Sequence, residues 1–218
     1  MQYKAVIAGA SGLIGNLLLN HLLNHPDYIE VLVLVRQKLN LEHQKLRQLA
    51  VDFDNLNNYE NEINGYAIFC CLGTTKSKTP DSKIYRKIDH DYPIQLAKIA
   101  AKNSIQQFHL VSALGADAAS SFFYNKLKGE TEQDIKQVEI PAIYIYQPSL
   151  LTGDRKEKRL AERFATGLFK LIDPLLIGSL NKYSSIPANT VATAMLNQSL
   201  KNNFGIFTYP SDQIKKLT

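Results

Sequence analysis

Three glycines constrain this chain most, because they follow its first apolar run and stand directly before its first amphipathic run. The run KAVIA leads to Gly9, and the segment GASGLIG repeats glycine at every third position, at Gly12 and Gly15. The apolar residues of LIGNLLLNHLLNH then recur at helical spacing until Pro26. With only 11 glycines in 218 residues, this spacing is not expected by chance. The segment therefore predicts a strand, a tight turn and a helix.

Short apolar runs alternate with helical patterns along the rest of the chain. The further strand candidates are EVLVLV, AVDF, YAIFCCL, QFHLVS, AIYIYQPSLL and FGIFTY, and helices are expected at residues 41–49, 83–102 and 120–137. Continuous apolar runs are typical of strands buried on both faces of a parallel sheet. We therefore predict an α/β fold, a Rossmann-type doubly wound parallel sheet with helices on both faces, as a single domain over residues 1–218. Residues 155–203 are expected to form a small, mainly helical C-terminal elaboration on the substrate side.

A glycine turn between a strand and a helix fits the binding of a dinucleotide. Glycines let the turn be tight, let the backbone approach a pyrophosphate, and let the helix pack on its strand, while the helix N-terminus offers N–H groups to the anion. Arg36 ends EVLVLVR, where an acidic residue would bind the ribose 2′-OH of NAD. Because an arginine can bind a 2′-phosphate instead, we predict NADP(H) as the cofactor, and an ordinary surface arginine is the alternative. Asp52 contacts an adenine amino group or forms a turn.

Three polar residues follow at the other side of the predicted sheet. Ser112 ends the strand QFHLVS, at the carboxyl edge where ligands bind. Tyr124 and Lys128 lie one turn apart on the next helix, and a lysine cation at that distance favours the phenolate of a tyrosine, whose pKa is ordinarily about 10. Tyr124 would exchange a proton with a substrate oxygen while hydride passes to or from the nicotinamide, and Ser112 would hydrogen-bond the same oxygen. The Tyr–Lys spacing has meaning only together with Ser112 and the glycine turn.

In this order, these residues resemble the short-chain dehydrogenase/reductase superfamily, whose active site is a Ser, Tyr and Lys set. The finer similarity is to its atypical NADP-binding branch, the Tat-interacting-protein-like oxidoreductases, and it rests on GASGLIG, VLVRQ, VDFDNL, CCLGTT, VSALGAD, YNKLKGETE and PSLLTGDR. The resemblance implies that Ser112, Tyr124 and Lys128 are catalytic and that Lys128 also reaches the nicotinamide ribose. It implies further cofactor contacts by Gly9, Ser11, Gly12, Leu13, Ile14, Gly15, Arg36, Asp52, Phe53, Leu72, Gly73, Thr74 and Pro148.

Two positions depart from the pattern of that superfamily. Many relatives carry an asparagine at the start of the helix formed here by IDHDYP, and Asp89 lies near that position. An asparagine-dependent proton relay is therefore not expected to operate unchanged. Where many members have Arg-Pro-Gly after the sixth strand, this chain has Gln147, Pro148 and Ser149. The substrate side of the site is therefore expected to differ in geometry.

Composition bounds the remaining possibilities. Cys70 and Cys71 are the only cysteines, and adjacent cysteines are poorly placed to link distant segments, so a reducing, cytoplasmic location is the default expectation. No run of about 18 apolar residues suggests a membrane span, and the histidines form no metal set. The net charge of +5 suits an anionic partner, although an ordinary basic surface explains it more simply. No aromatic and basic stripe indicates nucleic-acid binding.

The apolar segment at residues 162–180 is expected to form a lid or a wall of the substrate pocket, and a contact with a membrane or a partner protein is the alternative. Two classes of function stay open. One is an NADPH-dependent oxidoreductase acting on a carbonyl or alcohol, as a monomer or homodimer. The other is an NADPH-binding redox-sensing, regulatory or assembly protein with little turnover. The intact Ser, Tyr and Lys set favours the enzyme, because a sensor has no chemical need for it.

Overall fold

A parallel sheet of seven strands organises the chain in a computed structural model, which describes residues 2–153 and 183–218. The order of the strands across the sheet is β3-β2-β1-β4-β5-β6-β9. A separate two-stranded ladder pairs β7 with β8. The strand bounds are β1 Tyr3–Ala8, β2 Tyr28–Val35, β3 Leu46–Ala50, β4 Ala67–Cys70, β5 Gln107–Val111, β6 Ala142–Gln147, β7 Leu151–Thr152, β8 Ile186–Pro187 and β9 Gly205–Pro210.

Helices cover both faces of this sheet. Their bounds are α1 Leu13–Asn24, α2 Ser82–Arg86, α3 Tyr92–Lys102, α4 Phe123–Lys136, α5 Ala188–Ser199 and α6 Ser211–Ile214, with a 3₁₀ helix at Phe53–Tyr59 and a π-helical turn at Lys87–Asp91 that joins α2 to α3. Part of the predicted C-terminal elaboration is thus helix α5. The rest of it, including the predicted lid at residues 162–180, lies outside the described residues.

Two apolar cores lie on opposite faces of the sheet because successive strand residues point to opposite sides. Ile7, Val33 and Phe69 belong to the core that contains α1 and α5. Val6 and Leu32 belong to the core that contains the 3₁₀ helix, α3 and α4. The chain lays down β2 and β3 on one side of β1 and the later strands on the other, so the strand order reverses beside β1. This doubly wound arrangement is the predicted Rossmann-type fold, and it places a crevice for ligands at the carboxyl edge between β1 and β4.

The helix predicted at residues 41–49 is wrong, because strand β3 occupies residues 46–50. The backbone carbonyl oxygens of Leu39 and Leu41 are hydrogen-bonded by a side chain and not by helical N–H groups. Gln48 Nε2 donates to them at 3.1 and 3.0 Å. Strand β3 lies at the edge of the sheet and carries exposed polar residues, so its sequence lacks the continuous apolar run of a central strand. For the same reason the third strand was expected a few residues later, in AVDF.

The expectations about a membrane span and about the cysteines can both be compared with the described residues. No helix within residues 2–153 and 183–218 is long and apolar enough to cross a bilayer. Cys70 and Cys71 are free thiols at the end of β4. Burial raises the pKa of the Cys70 thiol to about 12. Since the thiolate is the reactive form, Cys70 is a core residue and not a nucleophile at neutral pH.

Candidate functional site

The turn after β1 can be built only with glycine at its two outer positions. Gly9 has a φ of 89°, and a Cβ there would lie 2.5 Å from the carbonyl oxygen of Cys71. A Cβ on Gly15 would overlap the carbonyl oxygen of Gly9, so glycine allows α1 to pack directly against the turn. The Gly12 N–H donates to that same carbonyl oxygen at 3.0 Å. The repeat of three residues therefore folds the chain back on itself and starts α1 against the end of β1.

The N-terminus of α1 offers backbone donors that no side chain caps. Gly12 is the N-cap residue, it makes no side-chain capping hydrogen bond, and the first turn of α1 contains no acidic residue. The first N–H groups of a helix have no partner within the helix. A pyrophosphate meets these requirements, because it accepts hydrogen bonds from backbone N–H groups and is favoured by the positive end of the helix dipole.

A groove of about 1410 Å³ starts at this turn and follows the carboxyl edge of the sheet. Its walls come from the glycine turn, the loop after β4, the loop after β5, the first half of α4, and the segment that follows β6. Most of the predicted site residues line it, namely Ser11, Gly12, Leu13, Ile14, Leu72, Gly73, Thr74, Ser112, Tyr124, Lys128 and Pro148. Segments far apart in the sequence thus meet in one crevice.

Five of the predicted cofactor residues do not line the groove in this structure. Gly9 and Gly15 lie behind the lining and shape the turn. Arg36 is exposed, directly after β2. Asp52 caps the 3₁₀ helix by accepting hydrogen bonds from the Asp54 N–H at 3.0 Å and the Asn55 side chain at 2.7 Å, which is the turn-forming alternative. Phe53 is buried against the ring of Tyr92. The cofactor contacts of these residues stay predictions.

Lys128 is a buried cation held by a buried carboxylate. Its residue is 5% exposed, and its Nζ lies 2.9 Å from Oδ1 of Asp89, which is 1% exposed. Burial alone would lower the pKa of Lys128, but the charge of Asp89 and the nearby Tyr124 phenol hold that pKa above its ordinary value. The other carboxylate oxygen of Asp89 accepts the Thr74 N–H at 2.8 Å. The ion pair therefore fixes both the lysine and the loop after β4.

A π-helical turn places Asp89 at this point. The turn runs from Lys87 to Asp91, and such turns inside helices occur frequently at functional sites. The Thr131 hydroxyl of α4 lies 3.0 Å from the Asp89 carbonyl oxygen, which ties the turn to the helix that carries Lys128. Asp89 was expected only to stand where relatives have an asparagine. Its contact with Lys128 was not predicted, because no spacing rule places a π turn.

Ser112 donates its hydroxyl proton to a second buried carboxylate, that of Glu132. Ser112 Oγ lies 2.5 Å from Glu132 Oε1. The amide nitrogen of Gln147 donates to both Glu132 oxygens, at 2.9 and 3.0 Å, and the Lys136 Nζ lies 3.8 Å away. Gln147, one of the two positions that depart from the expected superfamily pattern, thus serves as a donor to this carboxylate. Glu132 was missed, although its position four residues after Lys128 puts both on one face of a helix.

Tyr124 opens α4 and is accessible from the groove, with 41% of its surface exposed. It precedes Lys128 by one helical turn. Gly129 brings the helix close to the loop after Ser112, because a Cβ there would overlap the backbone nitrogen of Ala118. The Asp117 N–H donates to the Asn125 carbonyl oxygen at 3.0 Å and fastens the loop to the first turn of α4. Ser112, Tyr124 and Lys128 thereby line the same groove.

The comparison with known families identifies the family of this chain. The model of the NAD(P)H-binding family matches residues 9–165, which is more than half of the chain and includes the glycine turn, Ser112, Tyr124 and Lys128. The chain belongs to the NAD(P)H-binding family. The predicted resemblance to the Tat-interacting-protein-like branch is also confirmed: Protein HTATIP2 of Rattus norvegicus is 35% identical over 211 residues, which cover 94% of this chain and 85% of that protein.

Solved structures confirm the Rossmann-type fold. The Bordetella bronchiseptica enzyme WbmG, solved in complex with NAD, matches with a TM-score of 0.71 and 16% identity over 99% of this chain and 76% of that one. The UDP-glucose 4-epimerase of Thermotoga maritima, solved with UDP-glucose, matches with a TM-score of 0.69 and 13% identity over 98% of this chain and 80% of that one. At such identities the likeness concerns the fold alone.

The site fits the nicotinamide dinucleotide that the family implies. The glycines let the turn fold tightly against its own backbone, and the N-terminus of α1 stands without a side-chain cap. Farther along the groove, Lys128 offers a cation and Asp89 an acceptor for ribose hydroxyls. The residues present therefore match both the anionic and the hydroxyl-bearing parts of such a cofactor.

The predicted cytoplasmic location is wrong by the comparison with relatives. Protein FMP52 of Saccharomyces cerevisiae, which is 32% identical over 72% of this chain and 69% of that protein, is named mitochondrial. So are FMP52-1 of Scheffersomyces stipitis and fmp52 of Aspergillus niger, at 29% and 24% identity. The prediction rested on two cysteines that form no disulfide. Unpaired thiols argue against an oxidising compartment but do not distinguish one reducing compartment from another.

Proposed function

We propose that this protein is an NADP(H)-dependent oxidoreductase that transfers hydride between the cofactor and a carbonyl or alcohol group, with Ser112, Tyr124 and Lys128 as catalytic residues. One observation carries the proposal. A buried lysine cation lies one helical turn from an accessible tyrosine, in a groove that starts at a dinucleotide-type glycine turn. When bound, the nicotinamide cofactor supplies or accepts the hydride.

Tyr124 is the residue suited to move the proton that accompanies the hydride. Its phenol lines the groove and is partly exposed, so a substrate oxygen can reach it. Lys128 stays charged because Asp89 balances its burial, and its positive charge stabilises a phenolate on Tyr124. Proton transfer between Tyr124 and the substrate oxygen then requires no water from outside the groove.

Ser112 is suited to hold the substrate oxygen, and Glu132 determines how it does so. A hydroxyl has one proton to donate and two lone pairs that accept. In the described structure the Ser112 proton goes to Glu132, so the hydroxyl must turn toward the groove to donate to a substrate oxygen. The proton of a substrate alcohol then stays available for Tyr124. Glu132 thus holds the Ser112 hydroxyl in place until a substrate oxygen competes for its proton.

The preference for NADP(H) over NAD(H) is carried by Arg36. It follows β2 directly, where the adenosine ribose of a dinucleotide lies in this fold, and it is exposed and free to meet a ligand. No ion pair within the described residues engages it. Lys38 is exposed two residues later and adds to the positive charge. A guanidinium at this place favours a 2′-phosphate over a free hydroxyl.

A second function, NADPH-binding redox sensing or regulation with little turnover, is favoured by the ion pair of Lys128 with Asp89. The carboxylate lies 2.9 Å from the ammonium and offsets part of the charge that Tyr124 needs in order to lose its proton. Slow chemistry would follow, with tight cofactor binding retained.

Nucleotide binding and turnover together test the two functions. The protein is purified, its bound nucleotide is identified, and NADPH and NADH are titrated. NADPH oxidation is then followed with a panel of aldehydes and ketones, and NADP⁺ reduction with a panel of alcohols. NADPH binding with turnover of one of these classes is expected for the enzyme. Binding without turnover would favour the sensor, and absence of nucleotide binding would contradict both.

A further inference from the structure

Asp89 holds a buried acceptor that the described protein does not fully use. An ionised carboxylate offers about four acceptor sites. Oδ2 accepts the Thr74 N–H at 2.8 Å, and Oδ1 faces the Lys128 Nζ at 2.9 Å with no other partner among the described residues. Oδ1 therefore keeps an acceptor site that the lysine does not fill.

The groove passes beside this oxygen, which is itself buried beneath its wall. Asp89, Lys128 and Gly73 all line it. Gly73 has no side chain in front of the pair: a Cβ there would lie 3.5 Å from Asp89 Oδ1 and 3.9 Å from Lys128 Nζ. A ligand that displaces little more than the backbone of Gly73 to reach the lysine therefore lies beside the carboxylate as well. The pair presents a donor and an acceptor side by side, which matches two adjacent hydroxyls of a ribose.

The geometry of the fold indicates which ribose this is. In a Rossmann-type fold the pyrophosphate lies at the first strand-to-helix turn and the adenosine ribose lies beyond the end of β2. The other half of the dinucleotide must then extend across β1 toward β4 and β5. Asp89 and Lys128 lie on that side, next to the loop after β4. Their partner is thus the nicotinamide half, a placement that rests on the proposed function.

Charge gives the pair a second role. The nicotinamide ring is positively charged when the cofactor is oxidised and neutral when it is reduced. Lys128 alone would repel the oxidised ring, while the negative charge of Asp89 offsets that repulsion. The effect persists in salt, because both groups are buried. Asp89 therefore influences the oxidised form of the cofactor more than the reduced form.

We propose that Asp89 is a cofactor-binding residue: its Oδ1 accepts a hydrogen bond from a hydroxyl of the nicotinamide ribose, and its charge offsets that of Lys128 so that the site holds oxidised and reduced cofactor with similar affinity. The charge of Asp89 therefore suits this chain to retain the oxidised cofactor after hydride transfer.

Dissociation constants of NADP⁺ and NADPH test this directly, without any substrate. They are measured by calorimetry or nucleotide fluorescence for the wild type, Asp89→Asn, Asp89→Ala and the control Asp91→Asn, which removes an exposed carboxylate from the same π turn. Asp89→Asn should weaken NADP⁺ relative to NADPH by about tenfold, because the Lys128 charge is then not offset. Asp89→Ala should in addition weaken both forms by about two- to tenfold, since the acceptor is lost. Asp91→Asn should leave the ratio unchanged.

A second set of variants keeps the test decisive if a lone buried lysine prevents folding. Lys128→Met leaves Asp89 alone and should shift the ratio toward NADP⁺, and the double variant Asp89→Asn with Lys128→Met should return it to near the wild-type value. The proposal fails if the ratio is the same in all folded variants while the wild type binds both nucleotides, and the proposed function then stands. A wild type that binds neither nucleotide overturns both.

Discussion

The two halves of the groove are built in opposite ways. The cofactor half, the turn at residues 9–15, is made of backbone from one short stretch, and its shape depends on absent side chains. The chemical half is made of side chains from four separated segments, which supply Asp89, Ser112, Lys128, Glu132 and Gln147. The first half is specified locally and the second by the whole fold.

The halves also differ in their buried charge. The glycine turn buries no ionised side chain. The chemical half buries two carboxylates and one ammonium, each within reach of a partner. Burial of charge costs free energy that the ion pair recovers only in part, so such groups are weak evidence for stability. Fixed charges that need no rearrangement do assist a reaction. The comparison thus assigns binding to the backbone half and chemistry to the side-chain half.

Replacing Tyr124 by phenylalanine should separate the halves most clearly. The variant removes the transferable proton and keeps the ring, so turnover should fall by about 10² to 10⁴ fold while NADPH affinity changes little. The measurements are steady-state rates and an NADPH titration. Tyr92→Phe is the control, since it removes a phenol that hydrogen-bonds Asp54 outside the groove. Full activity of Tyr124→Phe would remove the catalytic assignment.

Replacing Arg36 by alanine should affect binding alone. A charge-assisted hydrogen bond to a 2′-phosphate contributes roughly 1.5 to 3 kcal/mol, or about 10 to 150 fold in affinity. NADPH should lose that much and NADH little, in titrations at low and physiological salt. Arg47→Ala is the control, because Arg47 lies on β3 and pairs with Glu62. Equal affinity of the wild type for both nucleotides would contradict the NADP(H) assignment.

The sequence predicted the backbone half well because short local patterns determine it. Continuous apolar runs indicated the central strands, and the spacing of Gly9, Gly12 and Gly15 indicated the turn. The chemical half was predicted only where a helical spacing or a strand end gave the position, as for Ser112, Tyr124 and Lys128. The ion pair of Asp89 depends on a π turn, which has no pattern in the sequence. Strand β3 was misplaced because edge strands lack the apolar signal.

Replacing Gly12 or Gly15 by alanine tests whether close backbone contacts determine the shape of the backbone half. A Cβ on Gly15 overlaps the Gly9 carbonyl oxygen, so Gly15→Ala should destabilise the fold by about 1 to 3 kcal/mol, as overpacking does. A Cβ on Gly12 would lie 3.2 Å from that oxygen, and Gly12 itself lines the groove. Gly12→Ala should therefore cost less stability but weaken NADPH binding. Denaturant unfolding and nucleotide titration of both variants measure this, and equal stability of the two would contradict it.

Replacing Glu132 by glutamine should give the smallest change, in the chemical half alone. The shape is kept, but the hydrogen bond from Ser112 loses its charge assistance. The single carbonyl oxygen of the new amide must also accept hydrogen bonds from both the Ser112 hydroxyl and the Gln147 side chain. Since a net hydrogen bond contributes about 1 kcal/mol, kcat/KM should fall by roughly fivefold to tenfold with NADPH affinity unchanged. Lys136→Met is the control, because that ammonium is 3.8 Å away and partly exposed. A loss of stability with kcat/KM unchanged would make Glu132 a structural residue. A fall in kcat/KM alone would show that the carboxylate acts through the orientation of Ser112, a role that belongs to the side-chain half of the groove.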